Sequence, residues 1–121
     1  MTVYRWTSAK VWLIIGGSRL ERERWLEEQL ADHTVPLGEF TEALLEAITG
    51  DVKLSDFRKP YILSERLGFS QIQLLDGKPA TAEEFSEILW QRHRAGMPSF
   101  LAGEFVPQTL IRLFGEPDGE M

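Results

Sequence analysis

A phosphate-binding turn is the first chemistry that the residue types suggest. A short apolar run ends in Gly16 and Gly17, and Ser18 and Arg19 then open a charged segment that also contains Arg22. A phosphate held between a strand and a helix needs glycines that let the backbone approach, N–H groups at the helix N-terminus and, often, a basic residue. All three are present. One hypothesis is therefore a small α/β protein or enzyme that binds a nucleotide or another phosphorylated ligand at these five residues.

The same residues also fit a simpler interpretation. Ser18 and Glu21 have the spacing of a capping box, in which a serine at the N-cap and a glutamate three residues later close the first turn of a helix. The longer phosphate-loop signatures, G-x-G-x-x-G and G-x-x-x-x-G-K-[ST], do not occur in the sequence. The pattern favours a helix cap over an anion site and leaves both open.

Other catalytic and metal-binding patterns are missing. The chain has no cysteine, which excludes a disulfide framework, thiolate metal ligands and a cysteine nucleophile. His33 and His93 lack the spacing of a metal motif such as H-E-x-x-H, and Arg92 and Arg94 flank His93, which predicts a solvent-facing position. No serine has a G-x-S-x-G context. The sequence therefore predicts no catalytic residue, no metal site and no cofactor, and it leans away from an enzyme.

Aromatic residues suggest a different function. Tryptophan near arginine is typical of protein interfaces, and residues 97–107 form an apolar, aromatic segment with prolines and glycines. Our main hypothesis is a non-enzymatic acidic interaction module: an adaptor, an inhibitor or an assembly subunit of a cell, a virus or a mobile element. It would bind another protein or a second copy of itself. The predicted contact residues are Trp6, Trp25, Trp90, Phe100 and Phe105.

Charge and composition limit the partners. The chain has 121 residues, a formal net charge of −6 and a pI of about 4.9. An acidic surface repels a phosphate backbone, so nucleic acid is an unlikely partner, although an acidic mimic of nucleic acid is a third hypothesis. No apolar stretch has the length of a membrane span and the N-terminus lacks the pattern of a signal peptide, so we expect a cytoplasmic protein.

The hydrophobic pattern predicts one small α/β or α+β domain over residues 1–114, followed by an acidic tail over residues 115–121. We expect a single-layer sheet made of an N-terminal hairpin and one or two further strands, packed against three or four helices. The predicted strands cover residues 3–6, 11–15 and 69–75, with 100–105 as a strand or a loop. Asp76 and Gly77 predict a tight hairpin turn with a short return over residues 78–80.

Capping residues and helical spacing place the helices. Predicted helices cover residues 18–32, 40–48, 81–95 and 107–114. Residues 33–38 are expected to be a connection, residues 51–60 a polar loop with or without one turn of helix and limited by Pro60, and residues 64–68 one short helical turn.

Overall fold

The computed structural model describes residues 1–31, 33–73, 79–104 and 108–120. The strands are β1 (Thr2–Trp6), β2 (Val11–Ile15), β3 (His33–Pro36), β4 (Leu67–Gln73), β5 (Ser99–Glu104) and β6 (Gly119–Glu120). The helices are α1 (Arg19–Glu28), α2 (Leu37–Thr49), α3 (Leu54–Leu63), α4 (Pro79–Arg94) and α5 (Gln108–Phe114), and a 3-10 turn covers Thr7–Ala9.

The described strands form one mixed sheet in the order β3-β4-β5-β2-β1-β6. Strands β3, β4, β5 and β2 are parallel, so their carboxyl ends share one edge of the sheet. Leu101 of β5 lies opposite Leu13 of β2 on one side and Phe69 of β4 on the other. Strand β1 is antiparallel to both β2 and β6. The fold class is therefore α/β, one of the two classes that the sequence predicted, and the predicted β1–β2 hairpin is confirmed.

Helices cover the two faces of the sheet unequally. The larger apolar core includes Phe40 of α2, Phe85 of α4 and Leu110 of α5, each fully buried against the strands. The smaller core holds Ile14, Phe100 and other apolar residues together with Leu26 of α1. Because the parallel strands are buried on both faces, they are apolar rather than alternating, which is why residues 11–15 could be predicted as a central strand.

The predictions for two connecting segments are wrong. Residues 33–38 contain strand β3 and the start of α2, and residues 51–60 contain most of α3, with Pro60 inside the helix. Tertiary contacts explain α3: Phe57 and Tyr61 pack against Phe40 at ring distances of 5.6 and 5.3 Å, and Arg58 forms an ion pair with Glu84 of α4. Packing of this kind overrides a weak local propensity.

Several predicted boundaries also move. Helix α1 ends at Glu28 rather than near residue 32. Leu67 and Gly68 belong to β4 rather than to a helical turn, and α4 begins at Pro79, so residues 79–80 are not a return strand. Asp76 and Gly77 lie outside the described residues. Among the described helices, none is long and apolar enough to cross a lipid bilayer.

Candidate functional site: the cleft at the strand ends

A cleft of about 170 Å³ lies at the shared carboxyl edge of the parallel strands, and we call it the strand-end cleft. Helix α1 and strands β4 and β5 line the cleft. They meet there because β2 leads through Gly16 and Gly17 into α1, beside the ends of β4 and β5. The lining residues are Arg19, Arg22 and Glu23 of α1, Ser70 and Gln71 of β4, and Ala102 and Gly103 of β5. In open α/β sheets this edge is the usual position of a ligand.

Glycine is required at the turn between β2 and α1. Gly16 and Gly17 have φ angles of +80° and +64°, in the left-handed region that disfavours other residues. A Cβ atom on Gly17 would also lie 2.5 Å from Cγ of Met1. The chain returns to extended backbone at Ser18, which is the N-cap of α1. We call Gly16 and Gly17 the glycine turn.

The capping box predicted from the sequence is present. The Glu21 N–H donates to Ser18 Oγ, and the Ser18 N–H donates to Glu21 Oε1, each at 3.1 Å. Hydrogen bonds from the Ser18 backbone and side chain lower the pKa of Glu21, whose carboxylate is ionised at neutral pH. A negative charge of the protein itself therefore already lies at the positive end of α1.

The two arginines of the cleft, Arg19 and Arg22, differ in exposure and in their hydrogen-bond partners. Arg22 is only 6% exposed, and its Nη1 donates to the carbonyls of Gly16 and Gly17 at 3.0 and 2.9 Å. Arg19 has a 65% exposed side chain and forms an ion pair with Glu23 at 3.1 Å. Arg22 therefore holds the glycine turn in shape, whereas Arg19 is able to change partners.

Sequence reasoning missed the β4 and β5 side of the cleft. Between Phe69 and Ile72 the pairing of these strands shifts register, and Gln71 in the bulge has a φ of +54°. A Cβ on Gly103 would lie 2.1 Å from the Ile72 carbonyl oxygen, so only glycine allows the strands to approach this closely. Glycine inside a strand is a signal for such an approach. Ser70, which is 4% exposed, and Gln71 are brought to the cleft in this way.

The predicted contact aromatics do not form one surface. Trp6 is 2% exposed in the larger core, and its Nε1 donates to the Gly115 carbonyl at 2.7 Å. Phe100 is 3% exposed on the opposite sheet face, stacked on Trp12 at 5.1 Å, with the half-buried Trp25 at its edge. The expectation that Trp6 and Phe100 face a partner is therefore wrong, because both rings fill the interior. Trp90 is 38% exposed on α4, and Phe105 lies outside the described residues.

The histidine environment also differs from expectation. Arg92 is fully buried rather than solvated, and the His93 ring packs against Trp90 and Phe114 at 5.3 and 5.5 Å. His33 is exposed at the start of β3. In the part of the chain that the structure describes, no three histidine, aspartate or glutamate side chains group closely enough to hold a metal ion.

Comparison with solved structures gives the fold a precedent. The chain is similar to domain III of the replication initiation protein DnaA from Thermotoga maritima, with a TM-score of 0.68 and 21% identity over 88% of this chain and 47% of that one. It is similar to AMPPCP-bound DnaA from Aquifex aeolicus, with a TM-score of 0.68 and 21% identity over 95% of this chain and 36% of that one. A replication initiator DnaA bound to AMPPCP and single-stranded DNA gives a TM-score of 0.69 and 21% identity over 94% and 37% of the two chains.

The chain spans less than half the length of these proteins. No protein-family model matches it, and no curated protein matches its sequence. At this identity the likeness establishes a shared fold.

The comparison corrects our main hypothesis. The expectation of a non-enzymatic acidic interaction module is wrong, because the chain has the fold of one part of replication initiators whose structures were solved with the nucleotide analogue AMPPCP. That fold agrees better with the alternative, a phosphorylated ligand at the strand-to-helix turn. The expectation that nucleic acid is an unlikely partner is not supported either, since one of the similar structures contains single-stranded DNA.

Proposed function

We propose that this chain binds a nucleotide or another phosphorylated small molecule in the strand-end cleft. The observation that carries the proposal is the position of the glycine turn. It delivers the N-terminus of α1 and the exposed Arg19 to a cleft at the carboxyl edge of parallel strands. Backbone N–H groups and the helix dipole favour an anion there, and the strand edge is where open α/β sheets bind ligands.

The two arginines have different roles in this proposal. Arg19 contacts the phosphate, because its side chain is 65% exposed and its partner Glu23 is also accessible. Arg22 positions the turn, because its Nη1 is engaged by the Gly16 and Gly17 carbonyls. A phosphate therefore gains one charge-assisted contact from Arg19 and a turn already in shape from Arg22.

Two carboxylates of the protein compete with the ligand. Glu23 holds Arg19 at 3.1 Å, and Glu21 accepts the Ser18 N–H that a phosphate would also use. Binding a phosphate requires that Arg19 leave Glu23 and that the anion lie beside or displace Glu21. Affinity should consequently be modest and should fall with ionic strength, since an exposed arginine is screened by salt.

The size of the cleft favours the phosphate group as the recognised part. A volume of about 170 Å³ is below the 300–1,000 Å³ that is usual for a whole drug-sized ligand. The nucleoside of a bound nucleotide would extend beyond the residues that line the cleft. Pyrophosphate and nucleotides should therefore bind with similar affinity, and an unphosphorylated nucleoside much more weakly.

Binding, rather than hydrolysis, is the proposed activity. Phosphate-loop hydrolases use a lysine on the phosphates, and a serine or threonine together with an aspartate on Mg²⁺. In this cleft the helix contributes Arg19, Arg22 and Glu23, and β4 contributes the neutral Ser70 and Gln71.

Substitutions of two arginines of α1, combined with NMR titrations, test the proposed phosphate contact. The titration follows the backbone amide signals of residues 16–22 by NMR with AMPPCP, pyrophosphate and adenosine. Arg19→Gln should raise the Kd for AMPPCP about five-fold, since a hydrogen bond to a charged group contributes roughly 1 kcal/mol or more. Arg24→Gln is the matched control, because Arg24 is an exposed arginine of the same helix that does not line the cleft.

A gain-of-affinity variant completes the test. Glu23→Gln should lower the Kd, because it releases Arg19 and removes a negative charge from the cleft, whereas Glu27→Gln on the exposed side of α1 should leave it unchanged. The proposal fails if millimolar AMPPCP and pyrophosphate leave the amide signals of residues 16–22 in place. It also fails if Arg24→Gln weakens binding as much as Arg19→Gln.

A further inference from the structure

A second and larger cavity lies between α4 and α5, on the sheet face opposite α1. It has a volume of about 630 Å³, within the range of small-molecule sites, and we call it the α4–α5 groove. Helix α4 lines it with Ala82, Glu83, Ser86, Glu87 and Trp90, and α5 lines it with Arg112 and Leu113. None of these residues lines the strand-end cleft.

Opposite charges line the groove without pairing. Glu83 and Glu87 are one helical turn apart on α4, and Arg112 is exposed on α5. Among the described side chains, the structure shows no ion pair that joins Arg112 to Glu83 or Glu87. Glu84 does not line the groove, and its carboxylate accepts hydrogen bonds from Nε and Nη2 of Arg58 at 2.7 and 2.6 Å. The groove therefore keeps a negative wall and a positive wall apart.

Trp90 gives the groove an apolar, aromatic wall. Its side chain is 38% exposed, although the ring stacks on Phe114 at 6.2 Å and touches His93 at 5.3 Å. These contacts hold the ring in place while one part stays accessible. An indole can attract a cation through its π face and can cover an aliphatic chain. Ala82 and Leu113 add apolar surface to the same groove.

A hydrogen bond within α4 orders the Glu87 side chain. Gln91 Nε2 donates to Glu87 Oε1 at 2.7 Å. This bond orders the side chain and leaves the other carboxylate oxygen for a ligand. Glu83, one turn earlier, is exposed. An ammonium group between these carboxylates would gain two negative neighbours at little ordering cost.

We propose that the α4–α5 groove binds a small zwitterion with an apolar body, such as an ω-amino acid. Its ammonium group lies between Glu83 and Glu87 near Trp90, its carboxylate pairs with Arg112, and its aliphatic chain covers Trp90 and Leu113. A ligand with only one charge would leave one wall unpaired. A simple cation would in addition be repelled by Arg112, and a simple anion by the two glutamates.

Matched small molecules test the charge requirement. The probes are 4-aminobutanoate, 6-aminohexanoate and 8-aminooctanoate, with hexylamine and hexanoate as the singly charged analogues of 6-aminohexanoate. The readouts are the Trp90 indole N–H signal and the α4 amide signals in NMR titrations of the full chain. At least one amino acid should bind about five-fold more tightly than both hexylamine and hexanoate, because each exposed ion pair contributes up to about that factor.

Matched variants test the two walls. Arg112→Gln and Glu83→Gln should each weaken the best amino acid about five-fold and reduce its advantage over one singly charged analogue. The controls are Arg94→Gln and Glu46→Gln, exposed residues outside the groove lining. The proposal is overturned if no probe moves the Trp90 signal at millimolar concentration. It is also overturned if hexylamine or hexanoate binds as tightly as the amino acids, or if Arg112→Gln binds like Arg94→Gln.

Discussion

Two buried arginines, Arg22 and Arg92, use the same chemistry in different surroundings. Each donates to backbone carbonyls: Arg22 to those of the glycine turn, and Arg92 to those of Tyr61, Ile62, Ser64 and Pro98. Arg92 also donates to Ser99 Oγ at 2.9 Å. Carbonyls at turns and at the C-terminal end of α3 carry partial negative charge, so they can satisfy a guanidinium group inside the protein.

The difference between the two lies in what they connect. Arg92 joins the end of α3, the segment after it and the residues that begin β5, which are up to 31 positions away in sequence. The carbonyls that accept from Arg22 Nη1 are five and six positions away, and both glycines are exposed to solvent. Arg92 therefore supports the tertiary fold, whereas Arg22 shapes one local turn beside the strand-end cleft.

The largest expected effect is on Arg92. Arg92→Met keeps much of the side-chain volume but leaves the buried Ser99 hydroxyl and several part-buried carbonyls without this donor, which should lower the free energy of unfolding by about 3 kcal/mol or more. Urea denaturation followed by circular dichroism measures it. Arg94 is exposed and lies two residues after Arg92, so Arg94→Met should change the free energy of unfolding by less than about 0.5 kcal/mol. Equal stability of these two variants would contradict a structural role for Arg92.

An intermediate effect is expected for Arg22. In Arg22→Met, water can hydrate the exposed carbonyls of Gly16 and Gly17, so the loss of stability should be only about 1 kcal/mol. Binding of AMPPCP should weaken roughly five-fold, because the turn loses its fixed shape. The local role of Arg22 is contradicted if Arg22→Met loses as much stability as Arg92→Met. It is also contradicted if Arg22→Met loses stability and keeps full affinity for AMPPCP.

The smallest effect concerns the capping box beside Arg22. Ser18→Ala removes a side-chain cap, which typically costs about 1 kcal/mol or less at an exposed helix start. It should also raise the pKa of Glu21 part of the way toward its ordinary value of 4.5, because the side-chain hydrogen bond of Ser18 is lost while the larger effect, the hydrogen bond from the backbone N–H of residue 18, remains.

The pH dependence of this contribution has a definite sign. Because the folded pKa of Glu21 lies below 4.5, its stabilising contribution is complete above that pH and is lost as the pH falls through the lower folded value. An NMR titration of the Glu21 carboxyl carbon measures the shift in the parent chain and in Ser18→Ala. An unchanged pKa in the variant would show that the Ser18 side chain does not lower the pKa of Glu21.

Local patterns predicted much of the framework. The capping box at Ser18 and Glu21, the buried strand at residues 11–15 and the final helix before Gly115 depend on interactions within a few residues, and the structure contains each of them. The segment at residues 54–63 could not be predicted in this way. Its proline and polar residues disfavour a helix, and the contacts that stabilise it come from Phe40, Glu84 and Arg92.

The candidate site shows the same division. The sequence suggested Gly16 to Arg19 and Arg22 as an alternative anion site, because a strand, two glycines and a serine cap are adjacent in the chain, and of these residues Arg19 and Arg22 line the cleft. It could not place Ser70, Gln71 and Gly103 beside them, since parallel pairing of β2, β5 and β4 joins residues more than 30 positions apart.

By itself, then, the sequence determined local turns, caps and a small domain of the α/β or α+β class, all of which follow from short-range backbone preferences and hydrophobic periodicity. Only the tertiary structure decided which aromatic rings are buried, which arginines are engaged and which residues meet at the strand ends. These properties depend on strand order and helix packing, and a single sequence pattern is compatible with many arrangements of both. Trp6 and Arg92, expected at the surface and found in the interior, are the plainest examples.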